Sequence, residues 1–279
     1  MPNFMRDSEF EFIRTYVYKH SRISLGHDKR ELVAARVGKR LREVELESFG
    51  AYCRLLQTPA GEEESEKLID AISTHHTAFF REKDHFEFVR SKVVPEMLGR
   101  ARLERWSRLH AWSAACSSGE EPYSLAIILS ETLQGSGWSW HIEATDISDR
   151  VLRQARAAVY PAQTLDPLPS VRRRMFFQQG IGPQQGNYRV ARELHSGVTF
   201  TQLNLLGSAL PFTEPFHVIL CRNVMIYFDQ PTQEELVNRL SQQLVPGGYL
   251  LVGHAESLTG IRHSLQMIKP SIYRRPFNS

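Results

Sequence analysis

The stretch HVILCRNVMIY, His217–Tyr227, gives the clearest indication of fold class in this chain. Val218–Cys221 form an unbroken apolar run, which is typical of a strand buried on both faces of a parallel sheet. Such strands are commonly followed by Gly, Asp or Pro in a turn, yet Arg222 and Asn223 follow this one. A charged and a polar side chain at that place indicate that the strand end holds another group.

Similar apolar runs occur elsewhere after residue 108, and helical stretches separate them. The predicted strands are LHAWSAA at 109–115, WHIEATD at 140–146, VTFTQLN at 198–204, FHVILCR at 216–222 and GYLLVGH at 248–254. Strands that alternate with helices predict an α/β fold with a twisted, mainly parallel sheet. Two final segments, LQMIK at 265–269 and SIYRR at 271–275, are close enough in sequence to pair as a hairpin.

Residues 8 to about 100 have a different pattern, in which apolar side chains recur at helical spacing, as Phe10, Ile13 and Val17 do. No alternating strand pattern interrupts them. Because 279 residues exceed one average domain, we predict two domains. A helical domain is expected over residues 1–85 and an α/β domain over residues 86–279.

Bulk properties exclude several classes of protein. No stretch approaches the ~20 consecutive apolar residues of a membrane span, and the start MPNFMRDSEFEF lacks a signal-peptide pattern, so we expect a cytoplasmic location. Cys53, Cys116 and Cys221 lie far apart in sequence, which favours reduced thiols and no metal site. A formal net charge of +3 is too small to require a nucleic-acid partner.

One predicted helix in the first half, Lys29–Val44, has a basic stripe beside its apolar face. The apolar face comprises Leu32, Val33, Val37, Leu41 and Val44, which a step of about 100° per residue brings to one side. The basic stripe comprises Lys29, Arg36, Lys39 and Arg40. Like charges repel unless a partner neutralises them, so the basic stripe is either a solvated helix flank or a docking surface for an acidic partner.

The predicted strand ends also carry residues suited to a nucleotide. In open parallel sheets, ligands bind beyond the carboxyl ends of the strands. The first strand continues into AACSSGEEPYSLAI, where Gly119 permits a close backbone approach and Pro122 suits the first turn of a helix. The second strand ends in Asp146, whose carboxylate can accept hydrogen bonds from both ribose hydroxyls.

The GxGxxG fingerprint of dinucleotide-binding folds is absent from the first turn, and Glu120 and Glu121 follow it instead. Carboxylates at a helix start repel a pyrophosphate but attract a cation. This favours S-adenosylmethionine, which carries a sulfonium and an amino group, over NAD. The alternative for either glutamate alone is an ordinary helix N-terminus, where acidic residues complement the dipole.

A second glycine-rich segment, GIGPQQG, contains Gly180, Gly182 and Gly186. The residues after it, NYRVARELHSGVTF, have the pattern of a strand and a turn. No helix N-terminus is then available to bind phosphate. We therefore predict a glycine-rich hairpin rather than a phosphate loop.

Several stretches together resemble a known family. They are TAFFRE, SGEEPYSLAI, ATDIS, NLL, CRNVMIYFDQPTQ and PGGYLLVGHAESL, between Thr77 and Leu258. The chain resembles the CheR-type chemotaxis receptor methyltransferases, which are S-adenosylmethionine-dependent protein-glutamate O-methyltransferases. The resemblance implies an N-terminal all-helical domain, a Rossmann-like methyltransferase domain, and a small antiparallel β-subdomain inserted at about residues 170–198.

The resemblance also implies functions for particular residues. The cofactor contacts of the family fall on His75, Thr77, Arg81, Glu121, Asp146, Asn204, Leu205, Arg222 and Asn223. Arg81 and Tyr227 would be catalytic, positioning the acceptor carboxylate and the sulfonium methyl group. Relatives carry Asn where this chain has His75, so a histidine at a helix end without cofactor contact is the alternative there. The alternatives for Arg222 and Tyr227 are a buried ion pair and a core aromatic.

The acceptor glutamates of the family lie on cytoplasmic helices of chemoreceptors, which would suit docking on the basic stripe. The hairpin around Gly180, Gly182 and Gly186 resembles that of relatives that bind a receptor's C-terminal peptide as an added strand. We expect a monomer with no nucleic-acid partner and no direct membrane insertion. The rival interpretations are a methyltransferase of RNA or a small molecule, and a non-catalytic adaptor that senses the cofactor.

Overall fold

The computed structural model describes residues 4–277, which form two compact units. The helical unit comprises the described residues up to Thr74 together with Tyr227–Thr232. The sheet unit comprises His75–Ile226 and the described residues from Gln233 onwards.

The segment 75–85 groups with the sheet unit, although its sequence pattern suggested the helical domain. Its two phenylalanines, Phe79 and Phe80, are buried in the core of the sheet unit. The backbone N–H of Phe80 donates to Ser124 Oγ over 2.9 Å. Apolar burial and this hydrogen bond hold the segment in the sheet unit.

Local sequence signals account for the helices of the helical unit. These are α1 Asp7–Ser21, α2 Arg30–Glu43, α3 Phe49–Leu55 and α4 Gly61–Ile72, with a 3₁₀ turn at His27–Lys29. The backbone N–H of Arg6 donates to the Glu9 carboxylate over 2.8 Å, which satisfies one donor at the start of α1. Phe10, Ile13 and Val17 are all buried, as their spacing predicted.

The apolar face of α2 is narrower than the sequence predicted. Val33, Val37 and Leu41 are buried, but Leu32 is 42% exposed and Val44 is half-buried beyond the end of the helix. Leu32 immediately precedes Val33, so the helical step turns its side chain about 100° away from the buried row. The prediction of Leu32 as a core residue was therefore wrong.

The strands of the sheet unit agree closely with the predicted ones. They are β1 Arg108–Ala114, β2 Ser139–Asp146, β3 Val159–Pro161, β4 Phe177–Gln179, β5 Asn187–Val190, β6 Val198–Gln202, β7 Phe216–Cys221, β8 Leu244–Val252, β9 Gln266–Lys269 and β10 Ile272–Arg274. The large sheet has the order β6-β2-β1-β7-β8-β10-β9. Neighbours from β6 to β8 run parallel, while β10 runs antiparallel to β8 and to β9, which confirms the terminal hairpin.

Helices follow most of these strands, as the alternating pattern predicted. The helices that follow strands are α7 Glu120–Leu133, α8 Asp149–Ala157, α9 Ser170–Phe176, α10 Arg192–His195 and α11 Gln230–Gln242. Two further helices, α5 Lys83–Phe88 and α6 Val94–Glu104, precede β1. A π-helical turn at Val89–Val93 joins α5 to α6. Among the helices of residues 4–277, none combines the length and the apolar character needed to cross a membrane.

A small antiparallel sheet has the order β3-β5-β4. In sequence, its strands lie between β2 and β6 of the large sheet. The GIGPQQG segment connects β4 to β5, so the predicted glycine-rich hairpin is present. The strand β3 precedes the predicted insertion at 170–198. Residues Arg192–His195 form one helical turn, where the sequence predicted only a strand and a turn.

Candidate active site

The carboxyl ends of three neighbouring strands meet at one edge of the large sheet. Ala114, at the end of β1, pairs in register with Thr145 of β2 and with Cys221 of β7. The backbone N–H of Cys116 donates to the carbonyl of Thr145 over 2.8 Å and so connects the first two strand ends. The predicted cofactor residues that follow these strands are therefore brought together.

The turn between β1 and α7 has an unusual backbone. Ala115, Ser117 and Gly119 have φ angles of 63°, 51° and 98°, all in the left-handed region. A Cβ atom on Gly119 would lie 2.7 Å from the Tyr160 hydroxyl oxygen and 2.9 Å from Ala155 Cβ, so glycine is required there. A non-glycine residue in this region costs about 1–3 kcal/mol, and such strain concentrates at ligand sites.

Asp146 lies at the end of β2 and is 5% exposed. Its Oδ2 accepts a hydrogen bond from the backbone N–H of Ser117 over 2.9 Å, and its Oδ1 accepts one from Ser148 N–H over 3.0 Å. These bonds fix the orientation of the carboxylate. A carboxylate at the end of the second strand is the group that hydrogen-bonds a ribose in nucleotide-binding folds.

Arg222 lies at the centre of a buried charge cluster. Its side chain is 1% exposed, and its guanidinium donates to Glu121 Oε2 over 3.0 Å and to Glu82 Oε2 over 2.9 Å. It also donates to the backbone carbonyl of Arg81. A buried ion pair, which was the alternative interpretation of Arg222, is therefore present. The contacts of Arg222 connect the Arg81 segment to the end of β7 and to the start of α7.

The two glutamates around Arg222 have different electrostatic environments. Burial raises the pKa of Glu82, but the hydrogen bonds and charge of Arg222 outweigh burial and bring that pKa to about 2. Burial raises the pKa of Glu121 above its usual value, and Arg222 and Ser113 offset only part of this effect. Two glutamates share one guanidinium, and the carboxylate of Asp146 lies at the end of β2 in the same sheet. This edge therefore favours a cationic ligand over an anionic one.

Asn223 is held in a strained conformation, with a φ of 59°. Its side-chain amide donates to Glu82 Oε1 over 3.2 Å, and its backbone N–H donates to Glu256 Oε2 over 2.8 Å. Glu256 is buried and also accepts the backbone N–H groups of Met225 at 2.7 Å and Gly253 at 2.5 Å. This carboxylate therefore holds the loop after β7 and the loop after β8 in place.

We expect Glu256→Gln to lower the free energy of unfolding by about 1–3 kcal/mol. The carboxamide would turn an NH2 group towards backbone N–H donors and leave at least one of them unsatisfied in a buried place. Urea denaturation followed by circular dichroism measures the change. Glu235→Gln is the matched control, because the Glu235 side chain is 51% exposed. A loss for Glu256→Gln no larger than that of the control would contradict the anchoring function.

The other predicted cofactor residues lie in the loops of the same unit. Arg81 is half-buried and its Nη1 donates to the carbonyl of His76 over 2.9 Å. The Oδ1 of Asn204 accepts the N–H of Leu206 over 3.0 Å, which shapes the loop after β6. Leu205 is buried in that loop.

His75 and Thr77 precede the Phe79–Phe80 segment. The carbonyl of His75 accepts a hydrogen bond from Ser117 Oγ over 3.0 Å, so its backbone contacts the strained turn after β1. Thr77 is half-buried. The cofactor contacts of both residues stay predictions.

Tyr227 belongs to the helical unit, whereas the predicted cofactor residues belong to the sheet unit. It ends the 3₁₀ turn Met225–Tyr227 and groups with the helical unit. Within that unit its carbonyl accepts the N–H of Ser24 over 2.8 Å, and Tyr18 hydroxyl donates to Asp229 Oδ2 over 2.8 Å. The catalytic function of Tyr227 stays a prediction.

Both arginines of the basic stripe already have hydrogen-bond partners inside the helical unit. The guanidinium of Arg40 pairs with Glu64 at 2.7 Å, and its side chain is 12% exposed. Arg36 donates to the carbonyl of Ser73 over 3.0 Å. Lys29 and Lys39 remain 56% and 73% exposed, with acidic neighbours at 3.2 and 3.9 Å. The accessible charge of the basic stripe therefore comes mainly from its lysines.

Sequence reasoning missed two carboxylates of this site, Glu82 and Glu256. Glu82 ends the TAFFRE segment and has a φ of 56°, and its contacts to Arg222 and Asn223 join residues about 140 positions apart. Glu256 lies in the GHAESL segment after β8. Both glutamates lie inside stretches that carry the family resemblance, which was the available signal. No spacing rule predicts their contacts.

Comparison with known proteins agrees with this geometry. Residues 8–73 match the family model of the CheR methyltransferase all-alpha domain, and residues 75–274 match that of the CheR methyltransferase SAM binding domain. The chain is 39% identical over 265 residues to chemotaxis protein methyltransferase 2 of Pseudomonas aeruginosa, covering 95% of this chain and 92% of that protein. It is 37% identical over 269 residues to the chemotaxis protein methyltransferase of Escherichia coli, covering 96% and 91%.

Proposed function

The chain belongs to the CheR methyltransferase family, and from this premise we propose that it methylates glutamate side chains of chemoreceptors with S-adenosylmethionine. The products are glutamate methyl esters, which adjust the sensitivity of the receptors in chemotaxis. The observation that carries the proposal is the position of Asp146, Glu121, Arg222 and Asn223 at one edge of a parallel sheet.

The charge of this edge supports S-adenosylmethionine as the cofactor. Asp146 places a carboxylate at the strand end where such folds bind a ribose, and Gly119 leaves room for a close approach at the strained turn. The carboxylates around Arg222 give the edge an acidic character that suits a sulfonium and an amino group. The donor set of the site therefore fits this cofactor.

The reaction requires little acid–base catalysis by the protein. The bound cofactor supplies an electrophilic methyl group. The acceptor glutamate, with an ordinary pKa of about 4.3, is already ionised at neutral pH, so no general base is required. Residues of the site act by aligning the acceptor oxygen with the methyl group and by excluding water from the two opposite charges.

A methyl-transfer assay on receptor membranes tests the proposal against its rivals. With methyl-labelled cofactor, we expect base-labile label on receptor protein, because carboxylate methyl esters hydrolyse in base. Label on RNA or on a small molecule would favour a different methyltransferase. Absence of any label would favour an adaptor that only senses the cofactor.

We expect Arg81→Ala to lower turnover by about 10²–10³-fold while the fold is retained. Arg81 is proposed to position the acceptor carboxylate, and the loss of one such charged contact in a transition state has about this effect. The methyl-transfer assay measures turnover, and circular dichroism checks the fold. The control is Arg90→Ala, since Arg90 is exposed and pairs with Glu87. Near-normal methylation by Arg81→Ala would reject the assignment.

Two surfaces are proposed to bind the receptor. The exposed lysines of the basic stripe, Lys29 and Lys39, suit an acidic receptor helix. The edge strand β4 next to Gly180 suits a receptor-tail peptide added as a further strand. Gly182 and Gly186 have φ angles of 55° and 88°, so the loop also needs glycine for its own geometry.

Separate measurements distinguish these two surfaces. Association with receptor membranes should slow as salt rises, because exposed charges are screened, and Lys29→Glu with Lys39→Glu should remove most of this dependence. Calorimetry with a receptor-tail peptide should show binding that is lost when residues 180–186 are replaced by a two-residue turn. A salt-independent association rate would exclude the lysine surface, and peptide binding that survives the loop replacement would exclude the hairpin. Both surfaces imply a protein that acts at the cytoplasmic side of the membrane.

A further inference from the structure

Two histidines and one glutamate form a cluster on one face of the large sheet. His110 of β1 pairs in register with His141 of β2, and Glu143 follows two residues later on β2. Because side chains alternate between the two faces of a strand, all three residues point to the same face. Each residue offers one ligand atom, and these atoms lie within 4.8 Å of one another.

The cluster lies outside the candidate active site. His110 precedes the end of β1 at Ala114 by four residues, and His141 precedes Asp146 by five. Glu143 is the nearest member of the cluster, three residues before Asp146. At a rise of about 3.3 Å per residue, the cluster is roughly 10 Å or more from the strand ends. Its function is therefore separate from cofactor binding.

His110 supplies an independent sign of a missing ligand. It is 7% exposed, and its Nδ1 is buried without a hydrogen-bond partner among the described residues. A buried polar atom without a partner is costly and rare.

The other two residues already have a spacing close to that of metal ligands. His141 Nε2 lies 3.1 Å from Glu143 Oε1, and their side chains are 23% and 20% exposed. The ligand atoms of a tetrahedral zinc ion, with bonds of about 2.0 Å, are separated by roughly 3.3 Å. The ligand atom of His110 lies within 4.8 Å of the other two. Because His141 and Glu143 are partly exposed, water can reach them.

We propose that His110, His141 and Glu143 bind one Zn²⁺ ion, with water as the fourth ligand. Two imidazoles and a carboxylate form a donor set that zinc accepts in proteins. The ion would connect β1 to β2 away from the active site and so stabilise the sheet. This site departs from the sequence-based prediction of no metal site, because its three residues come from two strands and follow no local metal-binding motif.

A second group of potential ligands, Glu82, His85 and His254, does not carry the same inference. The carboxylate of Glu82 already accepts hydrogen bonds from Arg222 and Asn223. The guanidinium of Arg222 is 2.9 Å from Glu82 and would repel a cation there.

Metal titration of the full-length, tag-free protein tests the proposal. After removal of metal with a chelator, calorimetry with Zn²⁺ should show one ion per chain, and Co²⁺ should give the visible absorption bands of a four-coordinate site. Glu143→Gln and His141→Gln should each weaken Zn²⁺ binding by about 100-fold, the upper end of the range for changes around a metal site. The control is His27→Gln. His27 is exposed and lies 3.7 Å from Glu11, and it belongs to neither cluster of potential metal ligands found among residues 4–277.

Each result has a clear consequence. No Zn²⁺ binding by the wild-type protein would overturn the proposal, as would binding that both cluster variants retain. A loss of equal size in His27→Gln would mean that ordinary surface pairs bind the ion, and would overturn it too. Circular dichroism and binding of S-adenosylhomocysteine show that the cluster variants are folded. We expect Glu143→Gln to keep its methyl-transfer activity, so a failure here is distinct from a failure of the proposed function.

Discussion

Arg222→Met is expected to lower the free energy of unfolding by about 3–5 kcal/mol. The substitution keeps the length of the side chain but removes the charge between Glu82 and Glu121. Breaking a buried ion pair from one side leaves an uncompensated buried charge, and this is the origin of the large cost. Urea denaturation followed by circular dichroism measures the change.

Two further variants separate this electrostatic cost from a loss of packing. Arg90→Met removes an exposed arginine that pairs with Glu87. This variant should lower the free energy of unfolding by less than about 1 kcal/mol. Adding Glu82→Gln to Arg222→Met should recover part of the stability, because one of the unpaired carboxylates is then neutral. If the double variant is as unstable as Arg222→Met alone, lost packing rather than charge explains the effect.

The same ion pair predicts how stability depends on pH. The pKa of Glu82 is about 2 in the folded protein, compared with an ordinary value of 4.5. Because the folded pKa is the lower one, the stabilisation is fully present above about pH 4.5 and is lost as the pH falls towards 2. The difference corresponds to roughly 3 kcal/mol. In Arg222→Met, the loss of stability over this pH range should be smaller than in the wild type.

Asp146→Ala is expected to weaken binding of S-adenosylhomocysteine by at least about 100-fold. In the proposed complex its carboxylate accepts two hydrogen bonds from the ribose, and each hydrogen bond to a charged group contributes about 1.5–3 kcal/mol. Since about 1.4 kcal/mol corresponds to a factor of ten, the loss of both exceeds two orders of magnitude. Calorimetry with S-adenosylhomocysteine measures the affinity.

The design must allow for the structural contacts of Asp146. Its carboxylate also accepts the N–H groups of Ser117 and Ser148, so the alanine variant frees two donors in the turn. Asp146→Asn retains one acceptor oxygen and should show an intermediate affinity. Asp149→Asn changes a carboxylate at the start of α8, three residues after Asp146. This variant should bind S-adenosylhomocysteine with the affinity of the wild type. Affinity in Asp146→Ala within about threefold of the wild type, with an unchanged circular dichroism spectrum, would exclude the ribose contact.

The sequence alone predicted the main strands along the chain and the strand ends at which the candidate site lies. Apolar runs such as Val218–Cys221 and the row Phe10, Ile13 and Val17 record burial within a few residues, so strands and helices follow from local periodicity. Parallel strands place their carboxyl ends at one edge, so Asp146 and Arg222 could be assigned to it before any contact was known.

Only the tertiary structure showed which charges are paired. Glu82 and Arg222 are 140 residues apart in sequence, and Arg40 and Glu64 are 24 apart. No local pattern connects them, because a side chain finds such a partner only after the chain has folded back on itself. Arg40 was therefore expected to be available to a partner, although folding pairs it with Glu64. Periodicity along the chain reports which residues are buried, whereas topology decides which residues meet.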